Sequence, residues 1–141
     1  MARLIANFDI CTNCKTCEIV CSLEKFGGFN ANKGLLFLDE DPLGFSTQPV
    51  VCAQCENPFC QKVCPTGAIK RDSETGALVI DKEVCIGCGR CAESCPLGVI
   101  RRKDDVFIKC DLCGGDPLCV KSCPTGALKF IEFKSEEVKK R

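Results

Sequence analysis

The chain has 141 residues, the length of one compact domain, and its 19 basic and 19 acidic side chains cancel. That balance points to neither nucleic acid nor an anionic membrane surface, and a chain with no His lacks the usual near-neutral acid–base group of independent catalysis. Sixteen cysteines exceed the fraction that marks a cysteine-scaffolded chain, so disulfides or metal must hold it.

The amino terminus, MARLIANFDICTNC, lacks an apolar secretory run, and RLIANFD predicts a terminal strand. The longest apolar stretches, such as GLLFL and ALVI, fall far below the roughly 18 residues of a spanning helix. These features predict a soluble, cytoplasmic protein with reduced thiols and no membrane insertion; a partner with its own export signal could carry it elsewhere. The first cysteine group is CTNCKTCEIVC, with Cys11, Cys14, Cys17 and Cys21. Residues 22–51 contain no cysteine but hold Phe26, Phe29, Phe37 and Phe45. Either they form a strand pair and loop covering the metal, or they dock a catalytic subunit, since aromatics are enriched at interfaces.

The second group, CAQCENPFCQKVCP, supplies Cys52, Cys55, Cys60 and Cys64. After it, AIKRDSETGALVID reads as a hairpin turning between Ser73 and Gly76. The third group, CIGCGRCAESCP, supplies Cys85, Cys88, Cys91 and Cys95, and GVIRRKDDVFIKC predicts a second hairpin turning near Asp104 and Asp105. The fourth, CDLCGGDPLCVKSCP, supplies Cys110, Cys113, Cys119 and Cys123; LKFIEF then predicts a last strand before the charged, solvated tail KSEEVKKR. Gly67, Gly98 and Gly126, each three residues past the last cysteine of a group, suit tight positive-φ turns into a strand.

All sixteen cysteines fall in these groups, each beginning C-x2-C and ending C-x3-C. Only the gap before the third cysteine varies, and its longer forms, ENPF and GGDPL, are turn-forming insertions. Three cysteines at this spacing can wrap one face of a cubic iron–sulfur cluster. The last two of each group lie on one face of a helical turn, about 6 Å apart along its axis. The fourth thiol is thereby displaced toward a neighbouring cluster, and a following proline ends the turn. This is the bacterial ferredoxin run, in which the fourth cysteine serves the other cluster of a pair. Zinc also accepts four thiolates, but its knuckles join two C-x2-C pairs and give no reason for the third cysteine followed by C-x3-C-P. A disulfide framework suits neither the repeated spacing nor the missing export signal.

Sixteen thiolates at four per cluster predict four [4Fe–4S] clusters. The predicted fold is α+β: two pseudo-repeated bacterial-ferredoxin-like modules, with short hairpins and helical turns around the clusters. Ile19, Val20, Val63, Ile69, Ile86, Val99, Ile108, Leu112 and Leu128 are expected to pack around them, and the metal-free chain is expected to be unfolded or molten. Each oxidised cluster with four thiolates carries −2, about −8 in total. Lys15, Lys62, Arg90, Lys109 and Lys121, within or beside the groups, either offset that charge or are ordinary solvated side chains.

On these groups, the second shaped CxxCxxxxCxxxCPTGA, the sequence resembles the four-cluster ferredoxin-type subunits of dimethyl sulfoxide reductase, formate dehydrogenase and hydrogenase complexes. Its length and the stretch CSLEKFGGFNANKG look closest to the small subunits of tungsten-containing aldehyde oxidoreductases. The resemblance implies a nested pairing of groups. One cluster would take Cys11, Cys14, Cys17 and Cys123, and a second Cys110, Cys113, Cys119 and Cys21. A third would take Cys52, Cys55, Cys60 and Cys95, and a fourth Cys85, Cys88, Cys91 and Cys64. Within the single domain 1–141, an outer module of 1–49 plus 104–141 would enclose an inner module of 50–103. Cys21 departs from the pattern, because Ser22 follows it and the helix can run on. The implied role is a one-electron relay, not catalytic alone, between a tungstopterin or molybdopterin subunit and a soluble ferredoxin or similar carrier. The alternatives are a relay subunit of a hydrogenase, formate or carbon monoxide dehydrogenase, or a free polyferredoxin.

Overall fold

The computed structural model describes residues 2–29, 34–40, 42–43 and 47–132. Phe45, residues 30–33, Phe133 and the charged tail lie outside the described residues. The described chain alternates short strands with short helices: β1 (Ala2–Ala6), α1 (Thr16–Phe26), β2 (Phe37–Glu40), β3 (Thr47–Val50), α2 (Phe59–Lys62), β4 (Ile69–Arg71) and β5 (Leu78–Ile80). There follow α3 (Arg90–Ser94), β6 (Arg101–Lys103), β7 (Val106–Ile108), α4 (Leu118–Ser122) and β8 (Leu128–Glu132).

Every strand pairs antiparallel with one other. The two expected hairpins form as β4–β5 and β6–β7, with Ile69 opposite Ile80 and Arg101 opposite Ile108. In the first turn, the Asp72 carboxylate accepts the N–H groups of Glu74 and Thr75, both at 2.8 Å, holding the bend that Gly76 completes. β2 pairs with β3 in the cysteine-free stretch. β1 pairs with β8, Leu4 opposite Phe130, so the two terminal strands expected separately from sequence are partners. Ala2 and Leu4 turn inward while Arg3 and Ile5 face out, the period of two expected of a half-buried strand.

Each helix carries the third cysteine of its group, and proline decides where it stops. α3 and α4 end against Cys95 and Cys123, whose successors are Pro96 and Pro124, and α2 closes just before Cys64 and Pro65. α1 has no such proline and continues through Cys21 and Ser22 to Phe26. Gly27, at φ 73°, caps it by donating its N–H to the Leu23 carbonyl at 3.0 Å.

α1 packs against α4, and α2 against α3. Two apolar clusters result. One gathers Leu4, Leu36, Leu112 and Leu128 with Cys17 and Cys119; the other gathers Ile69, Leu78 and Ile100 with Cys91. Of the residues expected around the metal, Ile69, Val99, Ile108, Leu112 and Leu128 are buried, and Ile19, Val20 and Val63 are half-buried. Ile86 corrects the expectation, because it is 64% exposed. It follows Cys85 in the sequence and borders the same hollow as Cys85 and Cys88, at its exposed rim.

Candidate metal centres

All sixteen cysteines are free thiols. The first hollow that they line is bordered by Cys11, Cys14, Cys17 and Cys123. A second is bordered by Cys21, Cys110, Cys113 and Cys119, with Cys52 in its wall. A third is bordered by Cys64, Cys85, Cys88 and Cys91. In each, three thiols come from one group and the fourth from another. Of the remaining four, Cys52 and Cys95 lie near enough to Cys60 to disfavour its ionised form, and Cys55 is exposed.

Backbone geometry explains how the thiols converge. The residue before the second cysteine is left-handed in every group: Asn13 at φ 58°, Gln54 at 49°, Gly87 at 70° and Leu112 at 58°. Three of these are not glycine, so the loop holds a strained conformation; in the first, third and fourth groups both cysteines of the C-x2-C pair border one hollow. Gly67, Gly98 and Gly126 take the positive φ expected of them, at 66°, 66° and 72°.

Donors point at sulfur. Leu35 N–H donates to Cys21 Sγ at 3.2 Å and Ala68 N–H to Cys64 Sγ at 3.3 Å. Thr66 and Thr125 place hydroxyls 3.7 Å from the Cys64 and Cys123 sulfurs. The repeated CPTGA carried this signal, although sequence reasoning used only its glycine. In the third group Leu97 stands in the threonine's place, so Cys95 has no such hydroxyl partner. At Cys64 and Cys123 burial raises the pKa, but these hydroxyls and the following backbone N–H groups outweigh it and hold both thiols below the ordinary value.

On the third cysteines burial prevails. It pushes Cys17 and Cys119 up to about 12 and Cys91 up to about 11, and takes the Cys110 thiol of the fourth group to about 12. Without metal these thiols keep their protons at neutral pH, and gripping iron requires losing them. Iron retention against a fixed chelator should therefore strengthen from about pH 6 to about pH 8. A retention curve flat over that range would contradict the assignment.

Of the cations expected near the groups, Lys121 pairs with Asp116 on the surface, Lys62 lies 5.7 Å from the centre of the Phe59 ring, and Arg90 is exposed. Only Lys109 is buried. In the cysteine-free stretch Phe29 is 74% exposed while Leu35 and Leu36 enter the core, so part of this stretch covers the sites and part faces outward. Hollows bordered by cysteines of more than one group, apolar walls and N–H donors aimed at sulfur suit iron–sulfur clusters. Among the described residues, no helix is long and apolar enough to cross a membrane.

The sequence matches the 4Fe-4S dicluster domain over residues 44–133 and a 4Fe-4S binding domain over residues 8–27. It is 42% identical over 109 residues to the polyferredoxin-like subunit of an aliphatic sulfonate oxidoreductase of Pyrococcus furiosus, covering 75% of this chain and 62% of that one. It is 34% identical over 123 residues to a putative electron transport protein of Escherichia coli (78% and 74% covered). The B subunit of that organism's anaerobic dimethyl sulfoxide reductase is 33% identical over 118 residues (73% and 57% covered). The chain thus spans less than two thirds of the sulfonate oxidoreductase subunit and of the reductase subunit. In fold it is similar to one subunit of the BamBC active site complex of benzoyl coenzyme A reductase. The TM-score is 0.52 at 23% identity, with 99% of this chain and 86% of that one covered. With the dicluster match spanning most of its length and its thiols gathered around hollows, the protein belongs to the 4Fe-4S dicluster domain family of ferredoxin-type, cluster-binding proteins.

Proposed function

We propose that the protein is an electron-relay subunit holding four [4Fe–4S] clusters, not catalytic alone. The quartets are Cys11, Cys14, Cys17 with Cys123; Cys110, Cys113, Cys119 with Cys21; Cys52, Cys55, Cys60 with Cys95; and Cys85, Cys88, Cys91 with Cys64. The observation that supports this reading is that the first, second and fourth of these sets each border one hollow, the second together with Cys52. The packing of α1 on α4 and α2 on α3 supports the nested modules, 1–49 plus 104–141 around 50–103.

When bound, the clusters supply one-electron oxidation and reduction. The chain's own part is to fix their spacing, to exclude water with Leu4, Leu36, Leu112, Leu128 and their neighbours, and to direct N–H and hydroxyl donors at sulfur. Likeness to the polyferredoxin-like subunit of a sulfonate oxidoreductase supports a separate catalytic partner. Our reading of that partner is a tungstopterin or molybdopterin aldehyde oxidoreductase subunit, with a soluble ferredoxin as the other redox partner. The likeness to the B subunit of dimethyl sulfoxide reductase favours, as a second reading, a partner outside the aldehyde oxidoreductases.

Anaerobically prepared protein should contain about sixteen irons and as many acid-labile sulfides per chain. Cys64→Ser should disturb the cluster of Cys85, Cys88 and Cys91 while sparing that of Cys52, Cys55 and Cys60. Colourless, iron-free protein would reject the cluster reading. Disturbance of the Cys52 cluster instead would reject the exchange of fourth cysteines between groups.

A further inference from the structure

Lys109 is a buried lysine, 5% exposed, directly before Cys110 at the end of β7. Its Nζ donates to the Leu78 carbonyl at 2.5 Å, to the Cys110 carbonyl at 3.1 Å and to Gln54 Oε1 at 3.4 Å. Gln54 is fully buried and left-handed, and it lies between Cys52 and Cys55. Its Nε2 donates to the Cys110 carbonyl at 2.9 Å, and its Oε1 accepts the Leu78 N–H at 2.8 Å. One polar knot therefore ties the C-x2-C loop of the second group to that of the fourth, with an ammonium at its centre.

Among the described residues no carboxylate pairs with this ammonium; the nearby Lys25 is matched by Asp111 at 2.6 Å. Glu24 and Asp111 line one hollow with Lys109 without pairing with it, and a buried charge hydrogen-bonded only to neutral oxygens is costly unless an anion is close. On the function proposed above, the anions are at hand: Lys109 stands between the Cys110 quartet and the Cys52 and Cys60 quartet, each a site of net −2 when filled and oxidised. Burial raises the Cys60 and Cys110 thiols, and the Lys109 charge opposes that rise at both.

We infer that Lys109, held in place by Gln54, is the fixed positive charge shared by these two clusters and sets their reduction potentials above what the same thiolate sites would have without it. Reduction adds one electron, and one negative charge, to a cluster beside a cation that cannot move away. The added charge is stabilised at these two sites and hardly at the distant ones. Lys109 is a positioning residue for charge and need not exchange a proton.

The test is a dithionite titration of the anaerobic holoprotein followed by electron paramagnetic resonance, with iron counted in every sample. Lys109→Gln keeps donor atoms but removes the charge. It should make two clusters about tenfold harder to reduce, about 59 mV for a one-electron couple, and leave the others in place. Lys109→Arg keeps the charge and should keep the native potentials. If Lys109→Gln fails to load iron, Gln54→Glu, which sets a carboxylate against the ammonium, should lower the same two potentials. Fully loaded variants with unmoved potentials, or with all clusters shifted equally, would overturn the assignment of Lys109 alone. Iron missing from the wild-type protein would instead overturn the cluster reading on which it rests.

Discussion

Stripping the iron under anaerobic conditions should unfold the chain rather than leave an empty fold. The described helices α2, α3 and α4 have four or five residues each, far below the length at which a helix holds itself together. The strands pair only two at a time, and an isolated two-stranded pair is marginal in water. Cysteines are themselves core: Cys17, Cys52, Cys91 and Cys119 are buried among few aliphatic side chains. Ligand binding must then supply most of a folding free energy that in small domains is about 5–15 kcal/mol. Circular dichroism and hydrogen exchange during chelation would check this. Iron-free protein that keeps slow-exchanging amides in α1 and β8 would disprove it.

Gly87→Ala should dismantle the site of Cys85, Cys88, Cys91 and Cys64. A Cβ built at Gly87 would meet the Asp105 backbone oxygen at 2.2 Å, and the residue stands at φ +70°. A carbonyl in the β6–β7 turn cannot swing aside like a side-chain tip, so either that turn or the cysteine loop must move. Clash and left-handed strain together should cost about 3 kcal/mol or more. Iron should fall by about one quarter if the chain holds four clusters. Gly67→Ala is the matched control, with φ +66° and nothing within 4 Å of the added carbon. It should lose only about 1–2 kcal/mol and keep its iron. Equal iron loss in both variants would mean that backbone strain, not contact with Asp105, controls the site.

What could be read in the sequence was local. The fourfold spacing marked the cysteine groups, and proline after the fourth cysteine marked the helix ends. The exception also followed its rule: Ser22 in place of proline let α1 run on to Phe26. The first hairpin turned within the expected stretch from Ser73 to Gly76, and the second at Asp104 and Asp105. Long-range partners were not legible. Nothing near Glu18 foretells that its buried carboxylate accepts the Leu38 N–H, or that Arg101 reaches the Gly34 carbonyl at 2.7 Å. Gln54 looked like an ordinary loop residue because its partners, Leu78, Lys109 and Cys110, are brought to it only by the fold. Ile86 misled for a related reason: hydrophobicity suggested burial, but it lies at the exposed rim of the hollow lined by Cys85 and Cys88. Leu35 and Leu36 joined the core because the stretch around them folds back over α1, which no periodicity announces.

The union of β1 with β8 has a consequence for biosynthesis. A ribosome delivers β1 and the thiols of Cys11 to Cys21 long before β8 and the thiols of Cys110 to Cys123 emerge. On the nested pairing proposed above, the early half would wait with open sulfurs, whereas the middle of the chain could fill and close as soon as Cys95 is out. Maturation would then proceed from the centre outward, with β8 joining β1 after the inner sites are complete.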